Sequence, residues 1–161
     1  MASPRLRYEA RFPHDGVEMI GIRDCRHSDF DRVFGLLRQL WPDRTLSREA
    51  IGDAFMRGLD SDSQRYICAV VEDRPVGFCS LIVRSSIWAQ GHLGYIDELV
   101  VDEAHRGKGI GGMLLQRAVE LAREAGCGKV ELDSAFHREE AHRFYERQGF
   151  ENRGFIFFMD V

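Results

Sequence analysis

The strongest constraint on the fold is one continuous stretch, residues 95–115, in which a strand pattern passes through a glycine-rich turn into a helix pattern. The strand pattern ends at Val101, and four glycines follow it: Gly107, Gly109, Gly111 and Gly112. Apolar residues then recur at helical spacing, at Met113, Leu114, Ala118, Leu121 and Ala125. Unpaired N–H groups and the positive end of the helix dipole converge at such a helix N-terminus. The sequence therefore predicts a bound pyrophosphate at this turn.

Length and composition exclude several classes of protein. The 161 residues suit one domain, and a net charge of -4 with a pI near 5.9 does not favour a nucleic-acid partner. The four scattered cysteines never form Cys-x-x-Cys, so reduced, mostly buried thiols are expected and no metal site is predicted. Neither a signal-peptide pattern nor an apolar run of membrane-spanning length is present. We expect a cytoplasmic protein that does not associate with membranes.

The order of patterns predicts an α+β fold, β-α-α-β-β-β-α-β-α-β, in which an antiparallel meander leads into a βαβ crossover. Residues 1–16 are expected to form an irregular arm that can add an edge strand over residues 6–10, and residues 17–161 are expected to form a single domain. Ser28 and Ser47 are the predicted N-caps of the first two helices, and residues 65–87 a hairpin. Gly91 and Gly94 bracket the next predicted turn. Residues 129–133 and 155–159 are the last predicted strands, on either side of a helix over residues 139–148.

The glycine turn has two interpretations. Residues 107–112 satisfy the dinucleotide pattern G-x-G-x-x-G, and Asp133 lies roughly twenty residues further on, where a ribose-binding acid is expected. That interpretation predicts an oxidoreductase that binds NAD. Against it, the turn follows a predicted hairpin, and too little chain remains for the paired halves of a dinucleotide-binding domain.

The second interpretation starts one residue earlier and is a family resemblance. Arg106-Gly-Lys-Gly109-Ile-Gly111 fits the pattern of Arg or Gln, two residues, Gly, one residue, then Gly or Ala. This pattern resembles the acetyl-coenzyme A signature of the GNAT superfamily of N-acetyltransferases. At the family's spacing, residues 141–150 resemble its helix that ends in Phe-Tyr-x-x-x-Gly-Phe. The resemblance runs from about residue 17 to the C-terminus and is strong beyond Gly94.

The resemblance implies a mixed, mostly antiparallel sheet flanked by about four helices, with a βαβ core that binds acetyl-CoA. The strand backbone at Leu99, Val100 and Val101 is expected to hold the pantetheine arm. The remaining cofactor-binding residues that it implies are Arg106, Gly107, Lys108, Gly109, Ile110, Gly111, Gly112, Ser134 and Arg138. Arg138 stands where the family often has Asn, which makes a contact to phosphate or to an anionic substrate the expectation there.

The resemblance also implies two catalytic residues. Glu98 matches the carboxylate that deprotonates the amine, although a solvated carboxylate or one that only attracts the cationic amine fits the same position. Tyr145 matches the tyrosine that protonates the leaving thiolate, and a packing aromatic is the alternative. Strand alternation places Asp97 on the opposite face from Glu98. Cys127 is expected to be inert, so transfer is direct, within a ternary complex.

The expected substrate is a small-molecule primary amine, since the C-terminal segment resembles small-amine members such as aminoalkylphosphonate N-acetyltransferases. Arg84, Arg138 and Arg143 are candidate contacts for an anionic substrate group. A protein lysine or N-terminal amine is the alternative acceptor, and a non-catalytic acyl-CoA-binding domain the alternative role. A homodimer that pairs the last strand, residues 155–159, across a two-fold axis is also expected.

Overall fold

The computed structural model describes residues 8–9 and 19–160. These residues contain four α-helices: α1 (Phe30–Leu40), α2 (Arg48–Leu59), α3 (Ile110–Glu124) and α4 (Glu139–Arg147). They also contain six strands: β1 (Tyr8–Glu9), β2 (Ile20–Asp24), β3 (Gln64–Val71), β4 (Arg74–Ser86), β5 (Gly91–Val101) and β6 (Cys127–Leu132). Short 3-10 turns cover His27–Asp29 and Glu103–His105. The described residues up to Glu131 form one compact unit and those from Leu132 a second, and each is described by itself.

The six strands form one sheet in the order β1-β2-β3-β4-β5-β6. Each strand from β1 to β4 pairs antiparallel with the next one along the chain. Helix α3 then connects β5 to its neighbour β6. The predicted α+β fold, an antiparallel meander followed by a crossover, is confirmed. The interpretation as a dinucleotide-binding domain is wrong, because that domain requires a mostly parallel sheet.

The sheet separates two apolar layers, because successive side chains of a strand point to opposite faces. One face carries Cys68, Val70, Phe78 and Val100, and α1 and α2 cover it with Val33, Leu36, Leu37 and Phe55. Helix α3 packs on the other face, where Leu114 lies beside Gly77 and Ala122 lies beside Gly94. All of these residues except the two glycines are core side chains with little or no exposed area. Burial of this apolar surface is the main stabilising contribution to a fold of this kind.

The caps of the first two helices are only partly as predicted. Ser47 caps α2, since its hydroxyl accepts a hydrogen bond of 3.2 Å from the N–H of Ala50. Ser28 is not the cap of α1, because it lies within the preceding 3-10 turn and Asp29 occupies the N-cap position. The carboxylate of Asp29 is directed back to Arg26 N–H, at 2.7 Å, and to the guanidinium of Arg23. Because its carboxylate makes these bonds, Asp29 makes no side-chain hydrogen bond that caps α1.

Gly91 and Gly94 do not bracket a turn, because both lie within β5 and the turn before it covers residues 87–90. Gly94 pairs with Val83, and a Cβ built on it would lie 3.0 Å from Cβ of Ala122. The glycine therefore allows the close approach of α3 to the sheet. Gly91 has no such neighbour within 4 Å.

The predicted last strand is also absent, since residues 151–160 contain no helix or strand. Five apolar side chains are exposed there, with 56–93% of their surface accessible: Phe155, Ile156, Phe157, Phe158 and Met159. Their apolar, aromatic sequence is typical of a strand, but a strand also requires a neighbour that pairs with its backbone. Sequence pattern alone cannot supply that neighbour.

We predict that Gly94→Val lowers the free energy of unfolding by about 1–3 kcal/mol, because the added side chain forces α3 away from β5. Gly91→Val is the matched control, and we expect a change within about 0.5 kcal/mol. Urea denaturation followed by circular dichroism measures both. Equal stabilities for the two variants would contradict the tight contact between α3 and Gly94.

Candidate active site

A β-bulge interrupts the pairing of β4 with β5. Cys79 lies opposite Leu99 and Leu81 lies opposite Ile96, so two residues of β5, Asp97 and Glu98, face the single residue Ser80. The extra residue breaks the strict alternation of side chains at this point. The prediction that Asp97 and Glu98 point to opposite faces is therefore wrong.

Ser80 makes two hydrogen bonds to Glu98. Its hydroxyl donates to Oε2 of the Glu98 carboxylate and accepts from the Glu98 N–H at 3.0 Å. Ser80 is 1% exposed, and Glu98 is half-buried. Sequence reasoning identified Glu98 and missed Ser80. The available signal was a single hydroxyl within the otherwise apolar run of residues 76–83.

Tyr66 of β3 lies opposite Ser80 on the same face of the sheet. Its ring stacks on Phe55 at 5.4 Å, and its hydroxyl donates to Oε1 of Gln64 at 3.0 Å. Burial raises the pKa of Tyr66, and the charges of Glu98 and Asp97 raise it further. Three neighbouring strands thus place a neutral phenol, a hydroxyl and a carboxylate in one row across the sheet.

The row lies where the covering helices end. Along this face of β4, Phe78 and Ser80 are buried, Ile82 is half-buried and Arg84 is exposed. The guanidinium of Arg84 lies 5.2 Å from the centre of the Tyr95 ring and 3.9 Å from Glu131 Oε2. The Glu98 carboxylate is therefore at the boundary between the apolar core and the solvent-accessible part of the same face.

Strand β5 continues into a turn that several hydrogen bonds hold in place. The N–H of Asp102 donates to Val76 O at 2.8 Å, and the N–H of Glu103 donates to Oε1 of Gln39 at 3.0 Å. Burial opposes ionisation of Asp102, but a hydrogen bond from Ala104 N–H and the charges of His105 and Arg32 hold its pKa below the usual value. An ionised Asp102 thus caps the 3-10 turn.

The glycine turn has the geometry of an anion site. Gly107 and Gly109 have φ of 76° and 78°, which non-glycine residues rarely adopt, and Gly109 is the N-cap of α3. A Cβ at either position would have no atom within 4 Å, so the space beside this backbone is open. The first N–H groups of α3, from Ile110, Gly111 and Gly112, have no acceptor within a helix. Such groups are suited to phosphate oxygens.

The other predicted cofactor contacts of the first unit lie beside this turn. Nε of Arg106 donates to Val101 O at 3.0 Å, which holds the guanidinium at the end of β5. Lys108 is exposed. Leu99, Val100 and Val101 pair with β4 through Cys79, Phe78 and Gly77. Glu98 and the glycine turn therefore lie at the two ends of one continuous segment, residues 98–112.

The second compact unit carries Ser134, Arg138 and Tyr145. Ser134 and Arg138 precede α4 and are half-buried, and Tyr145 lies on the helix. The ring of Tyr145 lies 5.3 Å from that of Phe144 and 6.1 Å from that of Phe150. Their contribution to the site remains a prediction.

All four cysteines are free thiols, as predicted, and three of them are buried: Cys25, Cys68 and Cys79. Cys127 is half-buried at the start of β6, and burial raises its pKa. Little thiolate therefore forms at neutral pH, which disfavours an acetyl-cysteine intermediate. Sγ of Cys25, Sγ of Cys68 and a carboxylate oxygen of Asp29 lie within 4.8 Å of one another, but Arg23 already pairs with that carboxylate at 2.7 Å.

Among the described residues, no helix has the length and apolar character needed to span a bilayer.

Three comparisons with known proteins agree on the relatives of this chain. The sequence profile of the acetyltransferase (GNAT) family matches residues 28–150. An aminoalkylphosphonate N-acetyltransferase of Salmonella typhimurium is 34% identical over 143 residues, which cover 89% of this chain and 92% of that protein. Glucosamine 6-phosphate N-acetyltransferase 1 of Oryza sativa subsp. japonica is 35% identical over 155 residues, which cover 91% and 90%.

A solved structure supports the same fold. An aminoglycoside N-acetyltransferase in complex with CoA superimposes with a TM-score of 0.80, over 94% of this chain and 99% of that one, at 18% identity. Since that identity shows the fold alone, family membership rests on the profile and on the two sequence relatives. The chain belongs to the acetyltransferase (GNAT) family.

Proposed function

We propose that this N-acetyltransferase transfers the acetyl group of acetyl-CoA to the primary amine of a small molecule that also carries an anionic group. The observation that supports the proposal most directly is the carboxylate of Glu98, held by Ser80 at the open boundary of the sheet face. Three residues further along, the same strand enters the turn that leads to the glycines. The proposed proton acceptor and the proposed cofactor site are therefore linked by β5.

Acetyl-CoA is the donor because the GNAT family uses it and because the turn fits its pyrophosphate. The N–H groups of residues 107–112 bind the phosphate oxygens, and the charges of Arg106 and Lys108 attract them. The pantetheine arm, which is built like a peptide, binds along the main chain of residues 99–101. Ser134 and Arg138 complete the cofactor contacts. With the cofactor bound in this way, we expect the thioester to lie near Glu98.

The chemistry requires a neutral amine, stabilisation of an oxyanion and a proton for the leaving thiolate. Glu98 accepts a proton from the substrate ammonium, directly or through one water. The amine nitrogen then attacks the thioester carbonyl, and the backbone N–H near Val100 stabilises the oxyanion. Collapse of the tetrahedral intermediate breaks the carbon–sulfur bond, and the hydroxyl of Tyr145 donates a proton to the thiolate. The nitrogen of the new amide loses its extra proton to solvent, and Glu98 and Tyr145 return to their starting protonation states by exchange with water. Cys127 takes no part in this direct transfer.

The anionic group is supported by the relatives and by Arg84. The names of the two relatives specify an aminoalkylphosphonate and glucosamine 6-phosphate, and both are anionic amines. Arg84 is four residues from Ser80 on the same face of β4, about 13 Å along the strand. It is exposed and lies over the ring of Tyr95. We therefore prefer Arg84 to Arg138 and Arg143 as the anion contact.

A cytoplasmic location and a homodimer are further proposals. The exposed apolar side chains of residues 155–159 support the homodimer, since such a segment is protected from water when it pairs with a second chain. Sedimentation equilibrium of the chain, and of a variant truncated after residue 154, tests the homodimer. A monomer at all concentrations would exclude it.

We predict that the chain releases free thiol from acetyl-CoA with phosphonate- or phosphate-bearing amines, and that Glu98→Gln lowers kcat/KM about 100-fold or more. The amide cannot accept a proton, so the acid limb of the wild-type pH profile should disappear in the variant. A thiol-release assay over a panel of small amines and lysine peptides measures both. Exclusive use of peptides would contradict the proposed acceptor class, and an unchanged rate for Glu98→Gln would contradict its role.

We predict that Arg84→Ala raises KM for an anionic amine about tenfold and leaves KM for a neutral amine unchanged, because it removes one charged contact to the substrate. Arg74→Ala is the matched control, since Arg74 is also exposed but lies at the other end of β4. Initial rates at varied amine concentration check the prediction. Equal effects of Arg84→Ala on both amines would show that Arg84 does not bind the anionic group.

A further inference from the structure

We propose that Ser80 is a positioning residue for the acetyl transfer: its hydroxyl closes the β-bulge and fixes the carboxylate of Glu98 in the orientation that the reaction uses. The inference rests on the proposed function, in which Glu98 accepts the proton of the amine. Neither the sequence patterns nor the comparisons assign a role to Ser80.

The bulge creates a backbone requirement at Glu98. A bulged residue does not take its regular place in the ladder of backbone hydrogen bonds, and a buried N–H without an acceptor is costly. The hydroxyl of Ser80 meets this requirement, since it accepts from the Glu98 N–H at 3.0 Å. The Ser80 side chain of β4 thus takes the place of a main-chain acceptor for the Glu98 N–H of β5.

The same Ser80 hydroxyl donates a hydrogen bond to the Glu98 side chain. A serine hydroxyl has one donor and two acceptor positions, and here the donor is directed to Oε2 of Glu98. Backbone and carboxylate of one residue are therefore tied to one oxygen, which restricts rotation of the long Glu98 side chain. Because Ser80 is 1% exposed, solvent does not compete for these bonds.

The hydrogen bond also favours the chemical state that a base needs. A donor aimed at a carboxylate stabilises the ionised form relative to the protonated form. The titratable groups near this carboxylate include Tyr66 of β3, Asp97 of β5 and Cys79 of β4. Asp97 carries a like charge, which opposes ionisation of its neighbour. The hydrogen bond from Ser80 to the Glu98 carboxylate acts in the opposite sense, in favour of the ionised form.

The test compares pH profiles of kcat/KM for the wild type, Ser80→Ala, Ser80→Thr and a matched control, Ser85→Ala, in the thiol-release assay. Ser85 is an exposed serine of the same strand. We expect Ser80→Ala to lower kcat/KM about tenfold at neutral pH and to move the acid limb to higher pH. Ser80→Thr, which retains the hydroxyl, restores most of the rate, and Ser85→Ala changes neither quantity.

A double mutant separates positioning from a purely structural effect. In the Glu98→Gln background we expect Ser80→Ala to add less than about a twofold loss, because the two residues act as a unit. Calorimetry should give the same acetyl-CoA affinity for Ser80→Ala as for the wild type. If Ser80→Ala does not fold, Ser80→Cys, which keeps the volume and weakens the donor, carries the same expectations.

Two results would overturn the role of Ser80: an unmoved acid limb in Ser80→Ala, or the same fold-loss in the wild-type and Glu98→Gln backgrounds. Failure of the proposed function has a different signature. In that case the wild-type chain releases no thiol with any amine, or Glu98→Gln is as fast as the wild type.

Discussion

The β-bulge opposite Ser80 is the feature on which the arrangement of the site depends. One extra residue in β5 brings Asp97 and Glu98 together opposite Ser80. It also resets the alternation of β5, so that Leu99 and Val100 take their places opposite Cys79 and Phe78. A regular strand would align one residue with Ser80 and would shift every later side chain to the other face. The bulge therefore lets one strand carry both a carboxylate at the site and an apolar core residue at Val100.

The packing of helices on the two faces determines where the site is open. Helices α1 and α2 cover the end of the face that carries Phe78 and Val100, and the cover ends near Ser80. The opposite face is closed by α3, which approaches closely because Gly77 and Gly94 have no side chains. The same helix presents its N-terminus, with Gly109 as its N-cap, to the solvent side of the turn. Helix α3 thus contributes to the core and to the anion site at once.

Much of this could be predicted from the sequence because it depends on local patterns. The strand that ends at Val101, the positive-φ glycines and the helix that follows are neighbours in the chain, and their spacing specifies the anion site. The resemblance to the GNAT family selects Glu98 as the proposed proton acceptor. Ser80 could not be selected, since its importance arises only from the register between β4 and β5, and register depends on pairing across the sheet.

The errors have the same origin. The local pattern predicts a turn at Gly94, whereas this glycine leaves room for Ala122, a residue far along the chain. Strict alternation predicts that Asp97 and Glu98 point to opposite faces, but the bulge interrupts that alternation. Residues 155–159 have the composition of a strand and no paired neighbour in the described chain. In each case the outcome depends on whether distant segments of the chain come into contact, which the local pattern does not specify.

The central claim is that β5 and the turn after it hold the donor and the proton acceptor on one segment. A crystal structure of the chain with CoA and an anionic amine tests it most directly. The account predicts pyrophosphate oxygens about 3 Å from the N–H groups of residues 107–112, and the Glu98 carboxylate bonded to the amine directly or through one water. A pyrophosphate bound away from the glycine turn, or a Glu98 carboxylate directed away from the amine, would contradict it.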